Sequence, residues 1–372
     1  MILSTPIPPE EGIGNYVYNL SKELLENKHE VTVITRGRFD KTIIQKVDGL
    51  RVIKPTFLPA YPFYIKLHGL FLNRQFKKFE KEFDIVHIHS PLCPLVKTSL
   101  PIIATIHTPM LADTKTRFEE TADFHARIER FMGKYISFPV EMGLINRAEK
   151  ITTVANSVAS ELKDYNLNKE EIEVIGNGVD EDIFKPIDNK SDENYILYTG
   201  RLDYRKGLFD LIESSKSILD VYPNVSFFVT GKGILLNQLK KRVNELGVSD
   251  NFKFLGYVSR EKLITLYQNA TIYVMPSHYE GLPTVLLEAM SSGCPVVATS
   301  VSGNLDVLTN DLDGLLVPPK SPKKIAESVI DLLNNEDKRI KMGNAARKTI
   351  EERFTWDMIA KRYMVNYENL LK

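Results

Sequence analysis

The chain has 372 residues, 43% of them hydrophobic and 26% charged, and its 48 basic and 48 acidic side chains cancel. That length is too great for one compact domain and comfortable for two, and a net charge of zero argues against broad binding to nucleic acid. Two distant cysteines, Cys93 and Cys294, have no metal-ligand spacing, no apolar run reaches the ~18 residues of a membrane span, and no signal pattern opens the chain, so it reads as reduced and cytoplasmic.

Short β-rich runs alternate with amphipathic helices, the pattern of parallel α/β sheets. Ile2 to Thr5 is a short first strand. Ile13, Val17, Leu20 and Leu24 share one helical face, and VTVIT at 31–35 follows as a strand. DIVHIH at 84–89, IIATIH at 102–107 and KITTVA at 150–155 continue the series; the segment from Leu111 to Asn146 is helical and insertion-like. A second series runs YILYTG, VSFFVTG, FKFLG, TIYVMPS, PVVATS and GLLVPP, with helical runs between. The polar stretch 177–194 carries Gly and Pro with little periodicity and reads as the linker. The expected units are 1–184 and 185–353, two similar Rossmann-like α/β domains facing across a cleft, then an amphipathic helix at 354–372 that holds the only tryptophan, Trp356.

EGLPTVLLE at 280–288 places two acids around an otherwise buried run. Pro283 suits the first turn of a helix, Gly293 its end, and the free N–H groups at the start form an anion site. Gly281 lets a ligand approach the backbone. A carboxylate beside such a site repels phosphate, so Glu280, and Glu288 one turn after Thr284, read as acceptors for hydroxyl groups. A phosphate between two polyhydroxyl groups fits, as in a nucleotide sugar. The plainer alternative is that Glu280 caps the helix and Glu288 is a solvated surface residue.

YTGRLDYRKGL at 198–208 puts Arg201, Arg205 and Lys206 at the carboxyl end of a strand, where α/β sheets bind ligands and cations suit a diphosphate; a solvated basic turn is the alternative. Gly231 in VTGKG allows close backbone approach. Gly12 and Gly14 in GIGNY make a poor dinucleotide fingerprint, six residues after the first strand and with no acid ending the second, and read better as a loop facing a ligand of the opposite domain. DLD at 311–313 mimics a metal-binding acid pair but is full of turn residues.

Taken together, these pieces resemble the family-four retaining glycosyltransferases of GT-B architecture (group one), nearly end to end. The glutamate–seven residues–glutamate motif with GLP inside carries most of the likeness, joined by GRL…KG at 200–207, NGVD…F at 177–184, GIGNY, IHTP at 106–109 and the FTW helix. The resemblance implies that Arg201 and Lys206 grip the donor diphosphate and Glu288 holds ribose hydroxyls. Glu280, with the backbone at Gly281, Leu282, Pro283 and Thr284, holds the transferred sugar. Tyr257 and Val258 receive the base, His107 lies near the sugar, Gly12 and Gly14 approach the phosphate, and the last helix returns to the first domain. Two departures stand out: EEGIG lacks adjacent glycines and leaves Glu11 near a phosphate, and no Pro follows GKG.

The implied reaction moves a hexose-type unit from a nucleotide diphosphate sugar to an acceptor hydroxyl of a glycan or lipid-linked glycan. The configuration at C1 is retained, no metal or other cofactor takes part, and no nucleic acid is involved. The first domain holds the acceptor. Residues 61–81 mix aromatics with Lys66, Arg74, Lys77, Lys78 and Lys81, which suits weak peripheral contact with the inner face of an anionic membrane or a core-packed helix with one solvated side. A nucleotide-sugar epimerase of the same fold and an inactive nucleotide-sugar-binding subunit are the competing readings.

Overall fold

In this computed structural model of the protein, residues 1–8, 12–60, 64–110, 135, 137–165, 167, 172–188, 191 and 193–372 are described. The chain divides into two units, Met1–Asn177 with Trp356–Lys372, and Gly178–Thr355. The first break falls seven residues before the expected 184, because the NGVD…F stretch is bonded into the second unit. Val179 N donates to Phe354 O at 2.8 Å, Ser291 Oγ to Phe184 O at 2.5 Å and Arg347 Nη1 to Glu181 O at 2.8 Å. Phe354 and Thr355 stay with that unit for the same reason.

The first unit carries β1 (Thr32–Ile34), β2 (Ile43–Val47), β3 (Leu50–Lys54), β4 (Val86–Ser90), β5 (Ile102–Ile106), β6 (Lys150–Thr153) and β7 (Ile172–Val174). β2 pairs antiparallel with β3, β3 parallel with β1, and β4 to β7 run parallel in order. Ile2 bridges both Ile34 and Ile88, so the short first strand joins the two groups. The β2–β3 hairpin was not among the expected strands, although Asp48-Gly49, both at positive φ, is the two-residue turn that such a hairpin needs. Of the segment 111–146, the helix Phe138–Arg147 falls within the described residues; residues 61–63 and Glu11 lie outside them.

The terminal helix Trp356–Leu371 packs on the helix Gly12–Glu26 of this unit. Tyr363 hydroxyl bonds Tyr16 hydroxyl at 2.9 Å and Thr105 Oγ1 at 3.0 Å, Arg362 donates to Val174 O, and the Trp356 ring meets Tyr16 edge-on at 5.3 Å.

The second unit is built on β8 (Tyr195–Thr199), β9 (Ser226–Thr230), β10 (Phe252–Gly256), β11 (Ile272–Met275), β12 (Val296–Thr299) and β13 (Leu315–Val317). All are parallel, in the order β10-β9-β8-β11-β12-β13. β8, β11 and β12 are buried throughout, which is why YILYT, IYVM and VVAT read as continuous apolar runs rather than alternating ones. Helices Leu208–Val221 and Pro322–Asn334 cover one face through Leu211, Ile212, Ile218, Ile325, Val329 and Leu332. The strand order reverses between β8 and β11, and in such sheets the crevice at the carboxyl ends beside the reversal takes ligands. The DLD segment is a turn before β13: Asp313 is buried and accepts from Thr309 N and Thr349 Oγ1.

Candidate active site

Two loops leave the strands that flank the reversal. After β8 the chain passes Gly200, makes a single 3-10 turn at Tyr204–Lys206 and enters the next helix at Gly207. After β11 the loop 276–283 leads into the helix Thr284–Ser291. The loops are laced together. His278 N donates to Arg205 O at 2.7 Å, and His278 Nε2 lies 2.7 Å from Asp210 Oδ2. Lys206 Nζ meets Glu280 Oε1 at 2.6 Å, and Ser277 Oγ donates to the same oxygen at 2.6 Å. The backbone of Glu280 is held too, accepting from Gly303 N and Ser302 Oγ.

Glu280 therefore neither caps the helix nor reaches only hydroxyls: its side chain, 9% exposed, is the counter-ion of Lys206. No side chain caps the helix, and Pro283 is its N-cap with φ −78°, so the first turn begins at Thr284 rather than at Pro283. Its leading N–H groups and dipole remain available to an anion. Thr284 is exposed, Gly281 half-buried and Leu282 buried.

Glu288 lies one turn further on, partly buried. Burial pushes its carboxyl up to about 7, against the pull of the Tyr267 hydroxyl, which donates to it at 3.0 Å, and of Arg260. Tyr267 also bonds Thr199 at the end of β8. Arg201 is exposed, 3.5 Å from Asp203. Tyr257 is 77% exposed, with Lys232 Nζ 5.5 Å from its ring centre; Val258 beside it is half-buried.

In the first unit, Gly12 opens the first helix and is exposed, while Gly14 is buried. His107 follows β5, and its ring meets Tyr16 edge-on at 4.8 Å. Burial lowers its pKa to about 3, so the ring is neutral at physiological pH. Two groups near it went unassigned in the sequence. His87 and His89 lie two apart on β4 and so share a sheet face; His89 is opposite Thr105, two residues before His107. That alternation was readable in HIH. Glu141, on the helix Phe138–Arg147, is buried and accepts from Ser90 Oγ (2.6 Å), Tyr165 hydroxyl (2.6 Å) and Met110 N (2.9 Å). Burial raises its pKa despite these donors. It ties the end of β4 to the segment after His107.

The model of glycosyl transferases group 1 matches residues 179–349, and that of Glycosyltransferase Family 4 matches residues 11–183. The chain belongs to the family-4, group 1 glycosyltransferases. It is 28% identical to the uncharacterized glycosyltransferase MJ1607 of Methanocaldococcus jannaschii, over 96% of this chain and 94% of that one. Among solved structures, the sucrose-phosphate synthase of Thermosynechococcus elongatus superposes with a TM-score of 0.79 at 22% identity, over 99% and 98% of the two chains. Alr3699/HepE of Anabaena, in complex with UDP and glucose, gives 0.71 at 16%, over 99% and 98%. Both likenesses are of fold, the GT-B arrangement of two parallel-sheet units.

In this glycosyltransferase the glycines at the strand ends serve the chain itself. Gly231 has φ +113° and faces Gly200 O so closely that a Cβ would sit 1.8 Å from it, while Gly231 N donates to Gly256 O. What an added Cβ at Gly231 would meet is the neighbouring loop. Gly207, at φ +64°, would place a Cβ 1.9 Å from Pro276 O, in the second of the two loops. Gly207→Ala is therefore expected to cost about 2 kcal/mol or more of stability, read as a lower urea midpoint. A change under about 0.5 kcal/mol, the size of an ordinary surface substitution, would show that the loops do not need this contact.

Proposed function

We propose that this glycosyltransferase is a retaining hexosyltransferase, taking its sugar from a nucleotide diphosphate donor and passing it to a hydroxyl of a glycan or lipid-linked glycan. One observation carries the reading. The Lys206–Glu280 pair and an uncapped helix start stand together beside the strand-order reversal of β8 and β11, so cation, N–H donors and acid are within one ligand's length. The complex of the Anabaena neighbour with UDP and glucose supports such a donor.

On this reading, negative charge develops on the departing diphosphate and is met by Arg201, Lys206 and the helix start before Thr284. Fixed donors of this kind stabilise charge without reorganising, each by about 3–4 kcal/mol, so a divalent metal is not required. Glu288 takes ribose hydroxyls, Glu280 and the 281–284 backbone take the transferred sugar, and Tyr257 and Val258 border the base. His107 polarises or positions the sugar. The acceptor proton leaves with the diphosphate, attack coming on the same face as departure, so no protein nucleophile is used.

A thermal-shift panel of nucleotide diphosphates and their sugars tests the donor. One nucleotide sugar at 100 times its Kd is expected to stabilise the protein by about 2.7 kcal/mol, unchanged by a chelator. Product analysis should then show acceptor-dependent transfer with the anomeric configuration kept. Nucleotide release without such transfer, or no shift with any donor, defeats the reading.

The helix Tyr64–Phe79 turns Ile65, Leu72 and Phe76 inward and leaves Lys66, Leu70, Arg74, Lys77 and Lys78 outward, Leu70 being 67% exposed. No helix among the described residues is long and apolar enough to cross a membrane. Membrane contact is proposed through this face and is electrostatic, about 1 kcal/mol per basic residue near an anionic surface. Co-sedimentation with anionic vesicles at low salt, lost at high salt and absent with neutral vesicles, is expected. No sedimentation with anionic vesicles removes the contact.

A further inference from the structure

His89 is wholly buried and lies between His87 and His107. Its ring faces His87 at 4.1 Å, and its Nδ1 is 3.2 Å from His107 Nε2. Burial holds both His89 and His107 well below their ordinary pKa, so each ring carries one proton. The hydrogen bond between them needs a proton on one nitrogen and a lone pair on the other, and each assignment fixes the far side of both rings.

If His107 donates from Nε2, the single proton of His89 must sit on its own Nε2. That atom is buried and has no hydrogen-bond partner among the described residues. If instead His89 donates from Nδ1, its Nε2 bears only a lone pair. Buried N–H groups without partners are the rarer defect in proteins, so the second assignment is favoured. The proton of His107 is then on Nδ1, which, unlike His89 Nε2, is not among the fully buried unpartnered nitrogens of the described residues. His87 does not compete: its Nδ1 is taken by Tyr367 hydroxyl and its Nε2 by Thr105 Oγ1, each at 2.7 Å.

We propose that His89 is a positioning residue that locks His107 in its Nδ1–H tautomer, so that His107 offers the substrate a hydrogen-bond donor and not a base. An unconstrained neutral imidazole prefers the other tautomer, Nε2–H, so the lock reverses the default. The catalytic consequence rests on the role given to His107 under the proposed function; the tautomer itself does not. Glu141 acts alongside, holding Ser90, next to His89, and Met110, just past His107, on one carboxylate.

The test is long-range proton–nitrogen NMR of the full chain carrying nitrogen-15 histidine, without ligand, the His107 signals being assigned by their loss in His107→Asn. The expected result is a protonated Nδ1 and a bare Nε2 on His107 in the wild type. His89→Asn, which keeps an N–H at the Nδ1 position, preserves this pattern, and His89→Leu reverts His107 to Nε2–H. A protonated Nε2 in the wild type, or an unchanged tautomer in His89→Leu, overturns the proposal; if His89→Leu does not fold, the wild type and His89→Asn decide it. With an active donor, kcat of His89→Leu is expected to fall about 10- to 100-fold while KM for the donor stays within about twofold, and His89→Asn recovers most of the loss. A rise in KM at unchanged kcat overturns the positioning role. The spectrum needs no donor, so failure of the lock and failure of the donor assignment are told apart.

Discussion

Lys206→Ala is expected to lower kcat/KM by about 10² to 10³, the usual effect of removing one preorganised donor from a developing charge. The ammonium is the only cation paired with Glu280 among the described contacts, and Arg201 is exposed and pairs with Asp203 instead. The same change should cost about 2–3 kcal/mol of stability, because a nearly buried carboxylate loses its counter-ion and keeps only Ser277. The two effects separate in Glu280→Gln. That variant relieves the unpaired charge, so in the Lys206→Ala background it restores stability, while the rate stays low because the donor to the diphosphate is still missing. Steady-state kinetics and urea melts of the three variants decide the matter. If Lys206→Ala loses stability but keeps its rate within about threefold, well short of what one lost donor costs, the pair is structural and the diphosphate is held elsewhere.

The second large effect is set by pH at Glu288. Its carboxyl is raised from 4.5 to about 7, chiefly by burial. Below pH 4.5 folded and unfolded chains both hold the proton and the group contributes nothing. Between 4.5 and 7 the unfolded chain releases it while the folded one retains it, so stability falls as pH rises, by about 3 kcal/mol in all, and levels off above 7. Glu288→Gln is expected to abolish that slope and to raise stability at pH 8, less whatever it loses at the Tyr267 bond. Donor binding runs the other way. Ribose hydroxyls donate to the ionised form, so binding expels the proton, and affinity weakens by up to about tenfold per pH unit below 7. Titrations from pH 6 to 8 check this; equal affinity across that range would mean that Glu288 does not meet the donor as a carboxylate.

Much of this was readable beforehand, for a physical reason. Parallel strands buried on both faces leave continuous apolar runs, so β8, β11 and β12 could be placed from YILYT, IYVM and VVAT, and the largely apolar SFFVT, FKFLG and LLV marked the other three. The glycines and charges at their carboxyl ends marked the loops that the strand order brings together. The hairpin Ile43–Lys54 escaped notice because its exposed strand alternates weakly; β2 has no buried residue, and only its Asp-Gly turn announced it. The unit boundary was misjudged by seven residues because hydrogen bonds from Ser291 and Arg347, more than a hundred positions away, hold a stretch whose composition reads as a linker.

By itself, then, the sequence determined the strands of the second unit, the family and the residue types at the candidate site, since periodicity and turn chemistry are local properties. Which group neutralises which was decided only in three dimensions. Lys206 and Glu280 are 74 positions apart and meet because β8 and β11 are adjacent; that adjacency turns two free side chains into one pair. Gly231 has the same origin: the space it leaves is filled by Gly200, from the next strand over. His87, His89 and His107 carry no signal of tautomer in their order along the chain. Their protons are placed by burial and by which nitrogen finds a partner, and both are consequences of packing rather than of sequence.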